Sequence, residues 1–365
     1  MRQIILFVMF FSFVHSQLKL KLTQVFEIGF NNNASPEYFF KYPYKARVDK
    51  DGNLYLYDYG RREIKKFSSN GKFIKSYGRF GSGPGEFKHI KVMEVDSKNN
   101  LLVFDVILQR LTVFDENPIP KIFKSNVNCF LNPEEFYQNS DSTYIVYDPN
   151  KASSTEKYFN EYNLSWEKLY SEFGDKNFFF SESDPNYLFL ENGNRLNFVV
   201  LNNNSIWVTP KYFSGKHFLF KRINEKWKGE IVISRKLKYD SLTKISKDEY
   251  SNTVLKNKIA SAGRNFKLFA IINNQSLGLI KYKNEKILNF CYQRISKRNY
   301  VFGVEIFNLV GEYLGFSTIE NLSQAELTKK YFNVIGSNNK DIIYCTVFSD
   351  GIYGLKAYSI EIINK

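Results

Sequence analysis

Histidine, cysteine and long apolar runs are scarce in this 365-residue sequence, and each shortage removes a class of function. The three histidines are His15, His89 and His217. His15 falls in an N-terminal leader, so a three-histidine zinc site cannot be assembled from the mature chain. The three cysteines, Cys129, Cys291 and Cys345, are an odd number in apolar surroundings (NCFL, NFCYQ, IYCTV). They read as buried thiols and imply no disulfide framework, with a Cys291–Cys345 bridge as the one pairing that neighbouring strands would permit. Past the leader no apolar run reaches the roughly 20 residues of a membrane-crossing helix, so no membrane insertion is expected. No GxSxG elbow presents a nucleophilic serine either.

The glycine-rich stretch GRFGSGPGEF, Gly78 to Phe87, also fails as a phosphate loop. Such a loop needs amides aimed at the anion and a helix behind it. Here Glu86 follows Gly85, and the residues after it alternate as a strand.

The sequence opens MRQIILFVMFFSFVHSQ, with Arg2, an apolar run from Ile4 to Val14, and Val14 and Ser16 spaced for cleavage before Gln17. That pattern predicts a signal peptide over residues 1–16 and a secreted or periplasmic mature chain. No cysteine follows the cleavage region, so a lipoprotein anchor is not expected. Hydrophobic residues at 43% and aromatics at 17%, including 35 Phe and 25 Tyr, supply an ample core and favour strands. The formal charge of +14 is spread along the chain with many Asn residues. It suits acidic glycans, membrane surfaces or cell-wall polymers, and equally an ordinary solvated surface. Nucleic acid is not an expected partner for an exported chain.

The strongest signal is internal repetition. Val48 to Asn70 aligns without a gap on Val95 to Asn117, with seven of 23 positions identical at an offset of 47. Each copy parses into four short strands, with Asp-Gly-Asn and Asn70-Gly71 marking hairpins. A four-stranded unit repeating at this period is a propeller blade. Weaker copies appear at Thr143 to Asp148, Leu196 to Val208, Phe266 to Tyr282 and Tyr331 to Val347. Two stretches read as insertions: a capping box at Ser246 to Glu249 opening a helix that ends near Gly263, and a shorter one at Ser323 to Glu326. Six blades remain. The last has room for three strands, and the first mature strand, LKLTQVFEIG, completes it. The expected fold is therefore all-β, one six-bladed β-propeller domain of four-stranded antiparallel blades over residues 17–365, closed by the N-terminal strand.

The run of IG or YG, GSGPGEF, VD with DGNLYLYD, and a strand ending F-x-x-N-G closely resembles NHL-type six-bladed propellers, particularly the secreted propeller proteins common in Bacteroidetes. The motifs are specific over residues 26 to 125; beyond that only the rhythm matches. The resemblance implies a fold more than an activity.

In such a blade the blade-to-blade loops and the loops between second and third strands share one face, where propeller ligands bind around the channel mouth. Tyr59, Arg61, Arg62, Arg79, His89, Lys91, Gln109 and Arg110 fall there, a cationic and partly aromatic rim suited to a glycan, a peptide or a surface protein bearing carboxylates. The expectation is a binding module without catalysis or cofactor. The alternative, implied by relatives of this fold that are lyases or lactone hydrolases, is a calcium-dependent hydrolase or lyase in the central channel. Asp58 and Asp105, at the ends of equivalent strands, read as turn-holding carboxylates.

Overall fold

A computed structural model describes residues 18–30, 35–115, 119–124, 133–139, 143–149, 156–166, 168–180, 195–235, 237–238, 240, 242–252, 258–263, 266–296, 299–323, 331–338, 340–349 and 352–364. The leader, Cys129 and the segment after Ser323 lie outside these. In chain order, β1 (Leu18–Ile28) precedes blade 1, which consists of β2 (Pro43–Val48), β3 (Leu54–Asp58), β4 (Glu63–Phe67) and β5 (Phe73–Tyr77). Blade 2 is β6 (Ile90–Val95), β7 (Leu101–Asp105), β8 (Arg110–Phe114) and β9 (Lys121–Lys124). Blade 3 is β10 (Glu135–Gln138), β11 (Thr143–Tyr147), β12 (Lys157–Asn163) and β13 (Leu169–Asp175), followed by the single-turn helix α1 (Lys176–Phe179). Blade 4 is β14 (Leu196–Asn202), β15 (Ser205–Pro210), β16 (Lys216–Ile223) and β17 (Lys226–Ile233). An insertion follows, with β18 (Leu242–Ile245), α2 (Lys247–Asn252), β19 (Lys258–Gly263) and β20 (Phe266–Ile272). Blade 5 is β21 (Asn274–Tyr282), β22 (Lys286–Arg294), β23 (Asn299–Asn308) and β24 (Tyr313–Ser323). Blade 6 is β25 (Tyr331–Ser337), β26 (Ile342–Ser349) and β27 (Ile352–Asn364), with β1 as its fourth strand.

Each blade is a sequential antiparallel meander. β1 runs against β27 from Leu18 opposite Asn364 to Ile28 opposite Leu355, so the first strand closes the ring. The apolar runs of the second strands follow from burial on both faces. In β7, Leu101 and Val103 pack toward blade 1, while Leu102 and Phe104 pack toward blade 3. Side chains alternate across a strand, so a strand sandwiched between two neighbours is apolar at successive positions. Among the described residues the core is accordingly six apolar clusters, one at each blade-to-blade contact around the ring.

The hairpin turns carry a repeated device. Asp49 Oδ1 accepts the amides of Asp51 and Asn53, and Asp96 Oδ1 accepts those of Lys98 and Asn100. The glycine-rich crossing joins blades 1 and 2 as expected. Gly78, at φ 83°, packs under the Phe87 ring, where a Cβ would come within 2.6 Å.

The insertion differs from the sequence expectation. The helix opens at Lys247 after Ser246, but it stops at Asn252, and residues 258–263 are a strand pairing with β20. Phe266 to Tyr282, expected as one weaker copy of the repeat, is likewise split: β20 belongs to the inserted three-stranded sheet, and β21 begins the next blade. Leu242, Ala270 and Ile272 dock this sheet onto the cluster between blades 3 and 4. Cys291 and Cys345 are free and buried, so they form no bridge, and burial pushes both thiols well up.

Candidate functional site: the channel mouth

Two buried carboxylates build the mouth. Asp58, at the end of β3, accepts the amides of Lys41 and Tyr42 from the loop entering β2 and that of Gly60 from the turn beyond. Asp105, at the end of β7, does the same for Lys88, His89, Ile107 and Leu108. Each pins the blade-to-blade loop to the loop between second and third strands, so both present side chains on one face. The turn-holding reading of these residues is what the structure shows.

On this frame stands an aromatic group. Tyr42 packs on Tyr44 at 6.2 Å, on Tyr59 at 6.1 Å and on Tyr353 of blade 6 at 5.2 Å, and Tyr59 meets the His89 imidazole at 5.6 Å. Beside it runs a chain of charge. Lys91 Nζ lies 2.7 Å from Glu134 Oε1, and the Arg195 guanidinium lies 3.2 Å from Glu134 Oε2 and 3.5 Å from the Tyr44 hydroxyl. Lys211, whose amide donates to the Arg195 carbonyl at 2.7 Å, adds a third cation.

Below the mouth is a cavity of about 430 Å³ between the inner strands. One wall is charged. Lys45 Nζ reaches Glu135 at 2.8 Å and the carbonyls of Lys91 and Glu134, and Arg47 bridges Glu94 at 2.9 Å and Glu135 at 2.5 Å. The opposite wall, from blades 5 and 6, mixes apolar Leu277, Leu279, Val334 and Ile335 with Gln275, Asn333 and Lys281. Burial pushes the Glu94 carboxyl up to about 7 despite the pull of Arg47. Burial also raises Glu135, but Lys45 and Arg47 outweigh it and hold that carboxyl below its usual value. Burial, then the neighbouring Lys91, lowers His89; burial, then Arg195, lowers Lys211.

The residues predicted from sequence divide between the mouth and the loops around it. Tyr59, His89 and Lys91 stand in the aromatic and charged group just described. The Arg62 guanidinium lies over Phe80 and Tyr59 and donates to the Lys88 carbonyl. Arg61 sits 3.6 Å from Asp58, and Gln109 donates to the Val106 carbonyl. Arg79 is highly exposed on the glycine-rich loop and pairs with Glu86 at 2.8 Å. Arg110 is buried and donates to the carbonyls of Ser82, Gly83 and Glu86, bracing that loop from below. None of these eight lines the cavity itself. The channel wall comes from Tyr44, Lys45, Arg47, Glu94, Glu134, Glu135, Arg195 and Lys211, which the sequence reading missed. For those of blades 1 to 3, position at or just before the inner strands, where His89 precedes β6, was the available signal; Lys211 instead follows the second strand of blade 4.

Among the described residues, no group of three His, Cys, Asp or Glu side chains is arranged to hold a metal. The channel carboxylates that a calcium site would call upon are each committed to Lys or Arg. Nor does any helix among those residues have the length and apolarity to cross a membrane.

Six closed blades around a charged channel define a six-bladed β-propeller. The chain belongs to the DUF5128 family, described as 6-bladed beta-propeller, whose profile matches residues 19–263. Among solved structures it is similar to a member of the duf4221 family from Bacteroides vulgatus, with a TM-score of 0.59 and 10% identity over 96% of this chain and 100% of that one. It is also similar to a Bacteroides fragilis protein described as exported, with a TM-score of 0.52 and 11% identity over 96% of this chain and 97% of that one. At such identities the likeness is one of fold. No curated protein sequence matches.

Proposed function

We propose that this chain is an exported binding protein, not an enzyme, that captures an anionic ligand, either a glycan, a peptide or a partner protein's surface, at the channel mouth. The observation that carries this reading is the tyrosine shelf of Tyr42, Tyr44, Tyr59 and Tyr353 set beside three cations, Lys91 and Arg195 paired with Glu134 and Lys211 near them. Flat aromatic faces take sugar rings or apolar side chains, and an excess of fixed positive charge selects an anion and speeds its arrival. The leader pattern over residues 1–16 supports export, as does the description of the similar Bacteroides fragilis protein as exported.

The test is retention of purified residues 17–365 on arrays of acidic and neutral glycans and peptides. Acidic ligands are expected to be held, with binding lost in a Tyr42→Ala, Tyr59→Ala double variant that melts normally. Retention unchanged in that variant would move the site away from the mouth. Replacing Arg61, Arg62 and Arg79 together with Ala tests the outer rim: weaker capture extends the footprint onto it, and unchanged capture confines the site to the tyrosines and the channel cations.

A further inference from the structure

Among the described residues, Lys211 is the mouth cation for whose ammonium there is no protein acceptor. Its main chain is tied down, the amide to the Arg195 carbonyl and the carbonyl to the Ser276 amide, both at 2.7 Å, so its position between blades 4 and 5 is fixed. Its ammonium faces the Tyr212 ring at 5.8 Å and makes no ion pair or hydrogen bond among the described residues. Arg195 is its like-charged neighbour, and the nearest carboxylate, Glu134, is already divided between Lys91 and Arg195. Three cations around one carboxylate leave room for a second anion, and a desolvated ammonium without an acceptor is unfavourable until something supplies one.

We propose that the mouth holds the carboxylate of a uronic-acid sugar between Lys211 and Arg195, with the sugar ring against the tyrosine shelf, and that Glu134 competes for Arg195 when the site is empty. This rests on the reading of the mouth as a ligand site and adds the ligand's chemistry. The planar guanidinium forks onto a carboxylate, and Lys211 contributes a point charge from the other side. Tyr44, whose hydroxyl lies 3.5 Å from the Arg195 guanidinium, packs on Tyr59 at 6.2 Å, so aromatic surface that suits the C–H face of a pyranose adjoins that guanidinium.

The probes are a glucuronate-containing oligosaccharide, the same oligosaccharide with its carboxyl reduced to the alcohol, and an acidic peptide of equal charge, titrated calorimetrically against the mature chain. The uronate is expected to bind, and the reduced sugar to bind about tenfold or more weakly, the scale of one charge-assisted contact. Lys211→Met is expected to weaken uronate binding by a similar factor with its melting temperature kept. Glu134→Gln is expected to tighten it several-fold by freeing Arg195. Uronate binding also raises the ammonium pKa of Lys211, read by NMR of the methylated amine. Equal affinity for the reduced sugar, tighter binding of the acidic peptide, or no effect of Lys211→Met would each overturn the proposal. Mouth binding insensitive to Lys211→Met overturns only this assignment, whereas binding insensitive to the tyrosine variant removes the mouth reading itself.

Discussion

Glu94 is a channel carboxyl whose environment changes its chemistry. In the unfolded chain its carboxyl has the ordinary value of 4.5, and in the fold burial raises it to about 7. The native state therefore holds the proton more tightly, and this group's contribution to stability is full below about pH 4.5 and is lost as pH rises to about 7. Glu94→Gln keeps an acceptor for Arg47 without the charge. Its melting temperature relative to wild type is expected to be higher at pH 8 than at pH 5; a difference independent of pH would show that Glu94 ionises normally. Asp105 makes the converse case, because its oxygens hold four amides in place. Asp105→Ala leaves those amides without their acceptor and is expected to cost about 2–4 kcal/mol in denaturant unfolding. That role was legible in advance, since Asp58 and Asp105 align at the offset of 47. Arg195 and Lys211 were not legible, because blades 3 and 4 keep the rhythm of the repeat without its Val-Asp and Leu-x-x-x-Asp landmarks, and only those landmarks set a register.

At the scale of elements, the hairpins and the closing strand followed from turn chemistry and from counting strands, while the insertion did not. A capping box is a local signal, and it located the start of α2 correctly. Residues 258–263, expected as helix, are instead a strand paired with β20, a tertiary contact that no local pattern announces. Inner-strand packing has one narrow point at Gly278, φ 155°, which sits at the bulge of β21, where a Cβ would lie 2.5 Å from the Val334 carbonyl of the neighbouring blade. Gly278→Ala forces blades 5 and 6 apart, and a loss of about 1–3 kcal/mol is expected from the clash and the strained backbone. A melting temperature equal to that of wild type would show that the contact is soft. Removing β1 tests closure: deletion of residues 17–28 leaves the edge of β27 unpaired, so the variant is expected to aggregate, and a synthetic peptide of residues 18–28 is expected to restore a monodisperse species.

For the whole molecule, every blade shares each of its faces with a neighbour, so no blade has a core of its own. Unfolding is expected to be a single transition despite the length of the chain. Trp166, in the cluster between blades 2 and 3, and Trp207, between blades 4 and 5, are separate reporters of this. Single-tryptophan variants are expected to give midpoints that coincide with the circular dichroism of the strands; separated midpoints would divide the ring into independent halves. The channel is uneven on this scale: among the described residues all its carboxylates, Glu94, Glu134 and Glu135, lie on blades 2 and 3, while blades 5 and 6 contribute mainly apolar and uncharged side chains with the single cation Lys281.

The pairing of Leu18 with Asn364 has one more consequence. The earliest part of the ring to be synthesised must wait for the very latest before it has a partner. A chain cut short anywhere before Ile352 has no β27 and stays open, with a bare strand at each end for proteases and chaperones to find. Closure thus ties the folding of the ring to the presence of both β1 and β27 in the same chain.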